Sequence, residues 1–458
     1  MAVFGLTTSA RRIRLPALLR ASVLFVAACT GLLPPLDAAD AQAFAAPRTA
    51  AQITAELCIG CHGPNLVGGN APNLLDTLWV HGSTDGEILR SIRNGFPESG
   101  MPPFGHLLSP PEQTAIVTYL RNQARRFAFG LIPYPAPPEA VVFKSEHQEF
   151  RLETVAGPLD NPWGLVFLNG GDMLVTERIG TLRKIENGRL LPEPIRGLPN
   201  VYVRQDGGML DVTIHPDYAN NGWIYLAYTD STGETQGLTH PPSMTVIIRG
   251  RIRDGEWIDQ ETIFRAAPEF YYEDNSHYGC RFLWDEAGHL FFTLGERGRP
   301  VVAQDLGNPL GKIHRILDDG RIPADNPFAN RPDAIASIWS YGHRHVQGLQ
   351  FSPVTGKMWA TEHGPIGGDE LNLVEPGRNY GWPVISYGTP QIGETIEGTA
   401  RDGMEQPKAW WSPSVAPSGI TFYTGDRYPA WKNNLFIACL FGRHLRRVVI
   451  EGDTVVHQ

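Results

Sequence analysis

A mainly β chain with a small helical domain in front is what the sequence predicts, on three observations. One strand–turn–strand phrase returns five times after residue 150, and short amphipathic helical segments fill residues 45–130. Gly 49 and Pro 38 against only 19% charged residues call for many turns and few long exposed helices. A length of 458 residues makes two domains the expected number. With a formal charge of −9 and no Lys/Arg stripe interleaved with aromatics, nucleic acid is not an expected partner.

Residues 1–41 are read as an export signal. Arg11, Arg12, Arg14 and Arg20 precede an apolar run from about Ala21 to Leu33, and "ADAQA" offers a small-residue cleavage site. Arg11-Arg12 also suits the twin-arginine route. "VAAC", ending at Cys29, resembles a lipoprotein box, and a lipidated Cys29 would anchor the chain to a membrane surface. The expected location is the periplasm, either free or attached in that way. No other stretch reaches the roughly 20 apolar residues of a membrane span.

"CIGCH" follows, at Cys58, Cys61 and His62. In an exported chain this spacing reads as covalent attachment of haem c, with the adjacent histidine as one iron ligand. Zinc would want four ligands, and there is no second CxxC. Met101, in the Pro/Gly loop of "GFPESGMPPFGH", is the expected second axial ligand, while His81 and His106 are read as surface residues. Helices are expected at "TAAQITAELC", "STDGEILRSIRNG" and "SPPEQTAIVTYLRNQA", the last started by Ser109 with Pro110 and Glu112. With both ligands in place, residues 45–130 resemble class I cytochromes c.

Residues 131–145 form a proline-rich linker, and the remainder, 146–458, changes texture. "WGLVFLNGGDMLVTER", "MLDVTIHPDYANNGWIYLAYTD", "CRFLWDEAGHLFFTLGE", "VQGLQFSPVTGKMWATEHG" and "GITFYTGDRYPAWKNNLFIACL" each read as a hairpin. Radial repetition of such units predicts a β-propeller; a sandwich would not explain the returning phrase. Helical crossovers and a strand–GxGxxG–helix unit are missing, which argues against an α/β fold and a Rossmann nicotinamide site. Cys280 and Cys439 are either two buried thiols or one disulfide.

Polar residues collect between these hairpins. "EDNSHYGCR" carries His277, "SYGHRHVQG" carries His343, Arg344 and His345, and "TEHGPIGGDELN" combines Glu362, His363, Asp369 and Glu370 with glycines and a proline. Oxygen donors in such a loop suit calcium. Each cluster alone would pass for a polar loop tip. A propeller gathers loops at the mouth of its channel, so together they can form one site.

From about residue 150 onward the chain resembles the PQQ-dependent soluble aldose dehydrogenases of the glucose/sorbosone dehydrogenase family. The resemblance rests on "GGMLDVTIHPDY", "HYGCR", "NPLGKIHRI", "GRIPADNPF", "YGHRHVQGL", "EHGPIGGDELNLVEPGRNYGWP" and "SPSVAPSG", which run in family order. It implies a six-bladed propeller holding pyrroloquinoline quinone (PQQ) over Ca2+. It further implies that His277 is the catalytic base, that Arg344 sits near the reacting carbonyl and binds the cofactor, and that Ser414 contacts the cofactor. Gly364 and Pro365 would hold calcium through backbone oxygens, and Asp369 and Glu370 would serve metal sites or loop structure.

This chain departs from the family at several positions. Ser276 replaces an aspartate beside the base, Asp206 a substrate-side glutamine, and His345 an asparagine next to Arg344. Phe441 stands where a cofactor-binding lysine is expected, with Arg443 nearby as a substitute. "RRVVIEGDTVVHQ" comes before the family's arginine-rich closing segment and last strand pair, so the propeller is expected to be incomplete at that side. The expected activity is quinone-dependent oxidation of a sugar, polyol or sugar aldehyde such as L-sorbosone. Electrons would pass from PQQ through haem c to a periplasmic or membrane acceptor. The competing expectations are a cytochrome-linked binding propeller without chemistry, favoured by the altered positions, and an NAD(P)-dependent sugar-aldehyde dehydrogenase.

Overall fold

The protein is described by a computed structural model over residues 48–68, 71–75, 79–128, 142–235, 237–274, 276–391, 395–412, 414–440 and 444–458. The export segment with Cys29, linker residues 131–141, Phe441 and Arg443 lie outside the described residues.

Four helices come first: α1 (Ala50–Leu57), α2 (Ile59–His62), α3 (Asp85–Asn94) and α4 (Pro110–Ala128). Their starts are written in the sequence. Thr49 and Gln52 close a reciprocal capping box on α1, and Thr84 and Glu87 do the same on α3. Before α4, the Ser109 N–H and hydroxyl both donate to Glu112 Oε2 at 2.8 Å, and Pro110 opens the helix. Ile53, Ile88, Ile92, Ile116, Val117 and Leu120 bury one shared core, and Arg121 ties α4 to Asp85 of α3 at 2.9 Å.

The rest is β. A hairpin, β1 (Val142–Lys144) with β2 (Glu149–Arg151), precedes five four-stranded antiparallel sheets in which neighbours in sequence are neighbours in space. Sheet one holds β3 (Pro162–Phe167), β4 (Met173–Glu177), β5 (Thr181–Glu186) and β6 (Arg189–Leu190). Sheet two holds β7 (Met209–Ile214), β8 (Ile224–Ser231), β9 (Ser243–Arg253) and β10 (Glu256–Arg265). Sheet three comprises β11 (Phe282–Trp284), β12 (Leu290–Leu294), β13 (Lys312–Ile316) and β14 (Ile338–Tyr341). In sheet four are β15 (Val346–Phe351), β16 (Met358–Glu362), β17 (Asp369–Val374) and β18 (Ala409–Trp411). Sheet five is β19 (Pro417–Phe422), β20 (Leu435–Cys439), β21 (His444–Glu451) and β22 (Thr454–His457). These are the blades of a propeller, because the first strand of each packs on the first strand of the next.

The five phrases of the sequence are the first two strands of these five blades. The sixth blade implied by the family resemblance is not formed by the described residues. β22 completes blade five, and the β1–β2 hairpin supplies only a pair. That pair docks on blade five: Glu146 accepts from Arg447 at 2.5 Å and from His457 at 2.8 Å, and Phe150 meets Trp431 edge-on at 5.7 Å. A second difference concerns patterning. Instead of alternating, β4, β12, β13 and β16 are buried at every residue, because inner blades are covered on both faces. Cys280 and Cys439 are separate, buried free thiols.

One side chain crosses the axis. Arg281 donates from Nε to Gln347 O at 2.8 Å, from Nη1 to Trp163 O at 3.2 Å and from Nη2 to Ser418 Oγ at 3.3 Å. Its Nη1 also lies 3.6 Å from Asp211 Oδ1. Those partners belong to blades four, one, five and two, while Arg281 itself leads into blade three.

Candidate active site

His277 lies in the loop before β11, and the register of blade three explains its partner. Phe282 pairs with Phe292, so residues a few positions before Phe282 and a few after Phe292 emerge at the same end of the sheet. Glu296 is thereby brought to His277, and its Oε1 accepts a hydrogen bond from Nδ1. Glu296 is 1% exposed and is itself fixed by its N–H donating to Arg344 O at 2.9 Å. With Nδ1–H committed to the carboxylate, the lone pair of His277 is on Nε2. Asp206 Oδ2 accepts the backbone N–H of His277 at 2.7 Å. Burial raises the Asp206 carboxyl, against the opposing pull of His277. Glu296 was not foreseen from the sequence. It gives His277 a carboxylate partner, although the neighbouring position 276 is a serine.

His345 stacks on His277, ring centroids 4.8 Å apart and 28° between planes. Its Nε2 accepts from Gln347 Nε2 at 2.6 Å and from Gly279 N at 3.4 Å, a pattern that requires an unprotonated nitrogen. Burial first, then the neighbouring His277, His363 and Arg344, hold the ring well below the usual histidine range. Arg344 is 5% exposed. Its N–H donates to Glu362 Oε2 at 2.8 Å, and its guanidinium lies 5.2 Å from the Trp382 ring centroid. The structure therefore brings His277, Arg344 and His345 together. His343 is not part of this group: fully buried, it bridges Glu362 at 3.0 Å and Ser340 at 2.9 Å under Tyr380.

The glycine loop closes beside Arg344. A Cβ on Gly364 would stand 2.2 Å from Gly367 O, and Gly367 and Gly368 have φ of +71° and +70°, so the turn excludes side chains. Asp369 is the pin of this loop. Its Oδ1 accepts Gly364 N at 3.0 Å, and its Oδ2 accepts Ser414 Oγ at 2.6 Å, Val415 N at 2.7 Å and Ala416 N at 2.8 Å. Both the Asp369 carboxylate and the Ser414 hydroxyl are thus engaged in holding two loops together. Glu370 shares Asn372 Nδ2 with Glu362, each at 3.0 Å, and burial followed by the Glu362 charge pushes its carboxyl up to about 8. His363 donates through Nε2 to Pro417 O at 2.9 Å, and burial pushes it down to about 4. A small cleft of about 10 Å3 lies between Arg344, Gly364, Glu370 and Trp382. A guanidinium, a tight glycine turn and a carboxyl line this one cleft, a set of groups that suits a hard cation next to an anion. Among the described residues, no three His, Cys, Asp or Glu side chains gather as an all-side-chain metal site.

In the helical part, Cys58 caps α1, and its carbonyl accepts the N–H of Cys61 at 3.2 Å and of His62 at 2.9 Å. Positions i, i+3 and i+4 of one turn share a face. Both thiols are free, and burial, then Cys61, pushes Cys58 up to about 11. His62 Nδ1 donates to Pro72 O at 2.7 Å, which places the lone pair of the ring on Nε2. Met101 is half-buried and bridges Phe96 through backbone hydrogen bonds of 2.8 and 3.0 Å.

Comparison with known proteins gives each part a counterpart. Residues 45–120 match the family described as cytochrome c oxidase, cbb3-type, subunit III. The uncharacterized protein slr1608 of Synechocystis sp. is 39% identical over 69% of this chain and 79% of its own length. The aldose sugar dehydrogenase YliI of Escherichia coli is 38% identical over 67% and 82%. Among solved structures, the PQQ-bound aldose sugar dehydrogenase of Streptomyces coelicolor superposes with a TM-score of 0.54 at 29% identity, covering 70% of this chain and 85% of that one. Residues 159–458, from just before the first inner strand of the propeller through its last strand, match a single family. By that match the chain belongs to the glucose/sorbosone dehydrogenases.

Proposed function

We propose that this chain is a PQQ- and calcium-dependent dehydrogenase of a sugar, polyol or sugar aldehyde, with haem c as its electron outlet. The observation that carries the reading is the His277–Glu296 pair. A buried carboxylate fixes one imidazole nitrogen and leaves the other free at the mouth of the propeller. Nε2 of His277 takes the proton of the substrate hydroxyl, and Glu296 stabilises the imidazolium that results. A bound quinone would supply the two-electron acceptor chemistry, and Ca2+ the polarisation of its carbonyl. Arg344 would hold the anionic cofactor; Gly364 and Pro365 would offer peptide oxygens to the cation. Asp369 and Ser414 support that loop, and Glu370 becomes a cation ligand once it loses its proton. His345 keeps water from one face of the base.

Support for the electron outlet comes from Cys58, Cys61 and His62 on one helical face, the free Nε2 of His62, and the match over residues 45–120. Met101 is its proposed second ligand. The proposed division of the chain is an export signal over 1–41, a haem domain over 45–130, a linker over 131–145 and the dehydrogenase over 146–458. The periplasm is the proposed location; among the described residues no helix is long and apolar enough to cross a membrane.

The test is rapid mixing of protein loaded with PQQ and calcium against aldoses, polyols and aldehydes. His277→Ala should slow cofactor reduction by about 10²-fold or more while leaving haem content intact. An undiminished rate in that variant refutes the mechanism. Turnover that needs NAD or NADP and survives chelation would transfer the function to a nicotinamide enzyme.

A further inference from the structure

His277 is held in left-handed backbone, φ +53°. Such a conformation is unfavourable for a non-glycine residue and persists where the surroundings over-determine it. The surroundings here are dominated by one side chain. Arg297, just past Glu296, has 0% exposure. Its Nε donates to Ser276 O at 3.0 Å, Nη1 to Ser243 O at 2.7 Å, and Nη2 to Ser243 Oγ at 3.3 Å and to Asp274 O. The guanidinium carbon lies 3.7 Å from the centroid of the Tyr278 ring, whose hydroxyl shares a 2.8 Å hydrogen bond with Ser243 Oγ. Residues 274, 276 and 278 are thus gripped by one planar group, and His277 is the residue between them.

The chemistry of the grip is unusual for a folding staple. The hydrogen-bond acceptors of Arg297 are three carbonyls and a hydroxyl, all neutral; the carboxylates of Asp206, Asp274 and Glu296 act on it only through their charge, and burial outweighs them. A guanidinium taken out of water against neutral acceptors carries a desolvation cost that an apolar side chain of similar volume would avoid. A planar fork, however, fixes directions that no apolar group can fix, and an ammonium, a point donor, cannot span the same acceptors.

We infer that Arg297 is a positioning residue for the proton acceptor, its guanidinium fixing the 274–278 segment so that the His277 ring rests on Glu296. This role goes beyond the proposed function but rests on it for its catalytic consequence, whereas its geometric consequence is measurable without cofactor. In apo-protein, the imidazole N–H that His277 donates to Glu296 should give a strongly downfield proton resonance, assigned by its loss in His277→Gln. Arg297→Ala, with circular dichroism unchanged, should lose that resonance. Free guanidinium should restore it, and Arg297→Lys should not. In protein loaded with PQQ and calcium, cofactor reduction should slow about 10²-fold, as for a reacting group displaced by an ångström, with KM for the sugar little changed.

A folded Arg297→Ala that keeps both the resonance and the reduction rate overturns the inference. Should Arg297→Ala fail to fold, Ser243→Ala removes one acceptor of Nη2 and the partner of the Tyr278 hydroxyl. A broadened resonance with a partial loss of rate then supports the role, and no change in either overturns it. A wild-type protein that shows the resonance but never reduces a quinone would sink the proposed function and leave the positioning intact.

Discussion

Replacing Glu296 by glutamine tests the pair at the centre of the site with the smallest change of shape. In the wild-type protein Oε1 accepts the Nδ1–H of His277 in a pocket where Glu296 is 1% exposed. In the proposed mechanism His277 takes the substrate proton, whereupon that contact would join a cation to an anion, and a hydrogen bond to a charged group contributes about 1.5–3 kcal/mol. Glu296→Gln keeps an acceptor oxygen but removes the charge, so most of that stabilisation is lost after proton transfer and little before it. The expected result is a reduction rate lower by about 10- to 150-fold, since every 1.4 kcal/mol is about tenfold, with substrate affinity nearly unchanged. Rapid mixing of protein loaded with PQQ and calcium, followed at the cofactor absorbance, separates this step from electron transfer to haem. Thermal unfolding of the same variant checks that the loop has not collapsed. A rate within twofold of wild type, in a variant of equal stability, would show that Glu296 does not act through His277.

Chelation should abolish quinone-dependent turnover and added calcium should restore it, as read by an artificial-acceptor assay. Protein matured with the haem-attachment machinery should carry haem on a denaturing gel through Cys58 and Cys61, and Met101→Ala should disturb the low-spin spectrum without releasing it. His314 is fully buried between Ser337 Oγ at 3.0 Å and Pro309 O at 2.8 Å, and burial pushes it down to about 3. The unfolded chain therefore binds a proton there below about 6.5 that the folded chain refuses until about pH 3. Stability should fall as pH drops through that window, by at most about 1.4 kcal/mol per pH unit from this group. Chemical denaturation of His314→Gln should show a shallower decline.

The helix start at Ser109 was legible because capping is local, donor and acceptor lying within one turn of sequence, and Thr49 and Thr84 turn out to carry the same kind of local signal. The blades were legible for a similar reason. Each inner strand pair is consecutive in sequence, joined by five to twelve residues, so the five repeated phrases correspond to the five blades, and the expectation of six came from family resemblance rather than from the repeats. Full burial of the middle strands followed from blade stacking, which no single strand records. The site was legible only in part. His277 and Arg344 announce themselves as polar residues between hairpins, but Glu296 is nineteen positions from His277 and meets it only through the register of β11 and β12. Likewise the Asp369–Ser414 contact spans forty-five positions and two blades, so a carboxylate in a glycine loop looked free to bind metal when it is engaged by four donors.

Arg281 gives the propeller an axle. A closed ring of blades is held by each neighbour gripping the next, and removing one would loosen all. Here the reach of one guanidinium to blades one, two, four and five, from the threshold of blade three, makes every blade answer to the centre as well as to its neighbours. Such a hub ties the spacing of the loops that carry His277 and Arg344 to the axis as well as to the rim, so the site is framed from the inside of the ring.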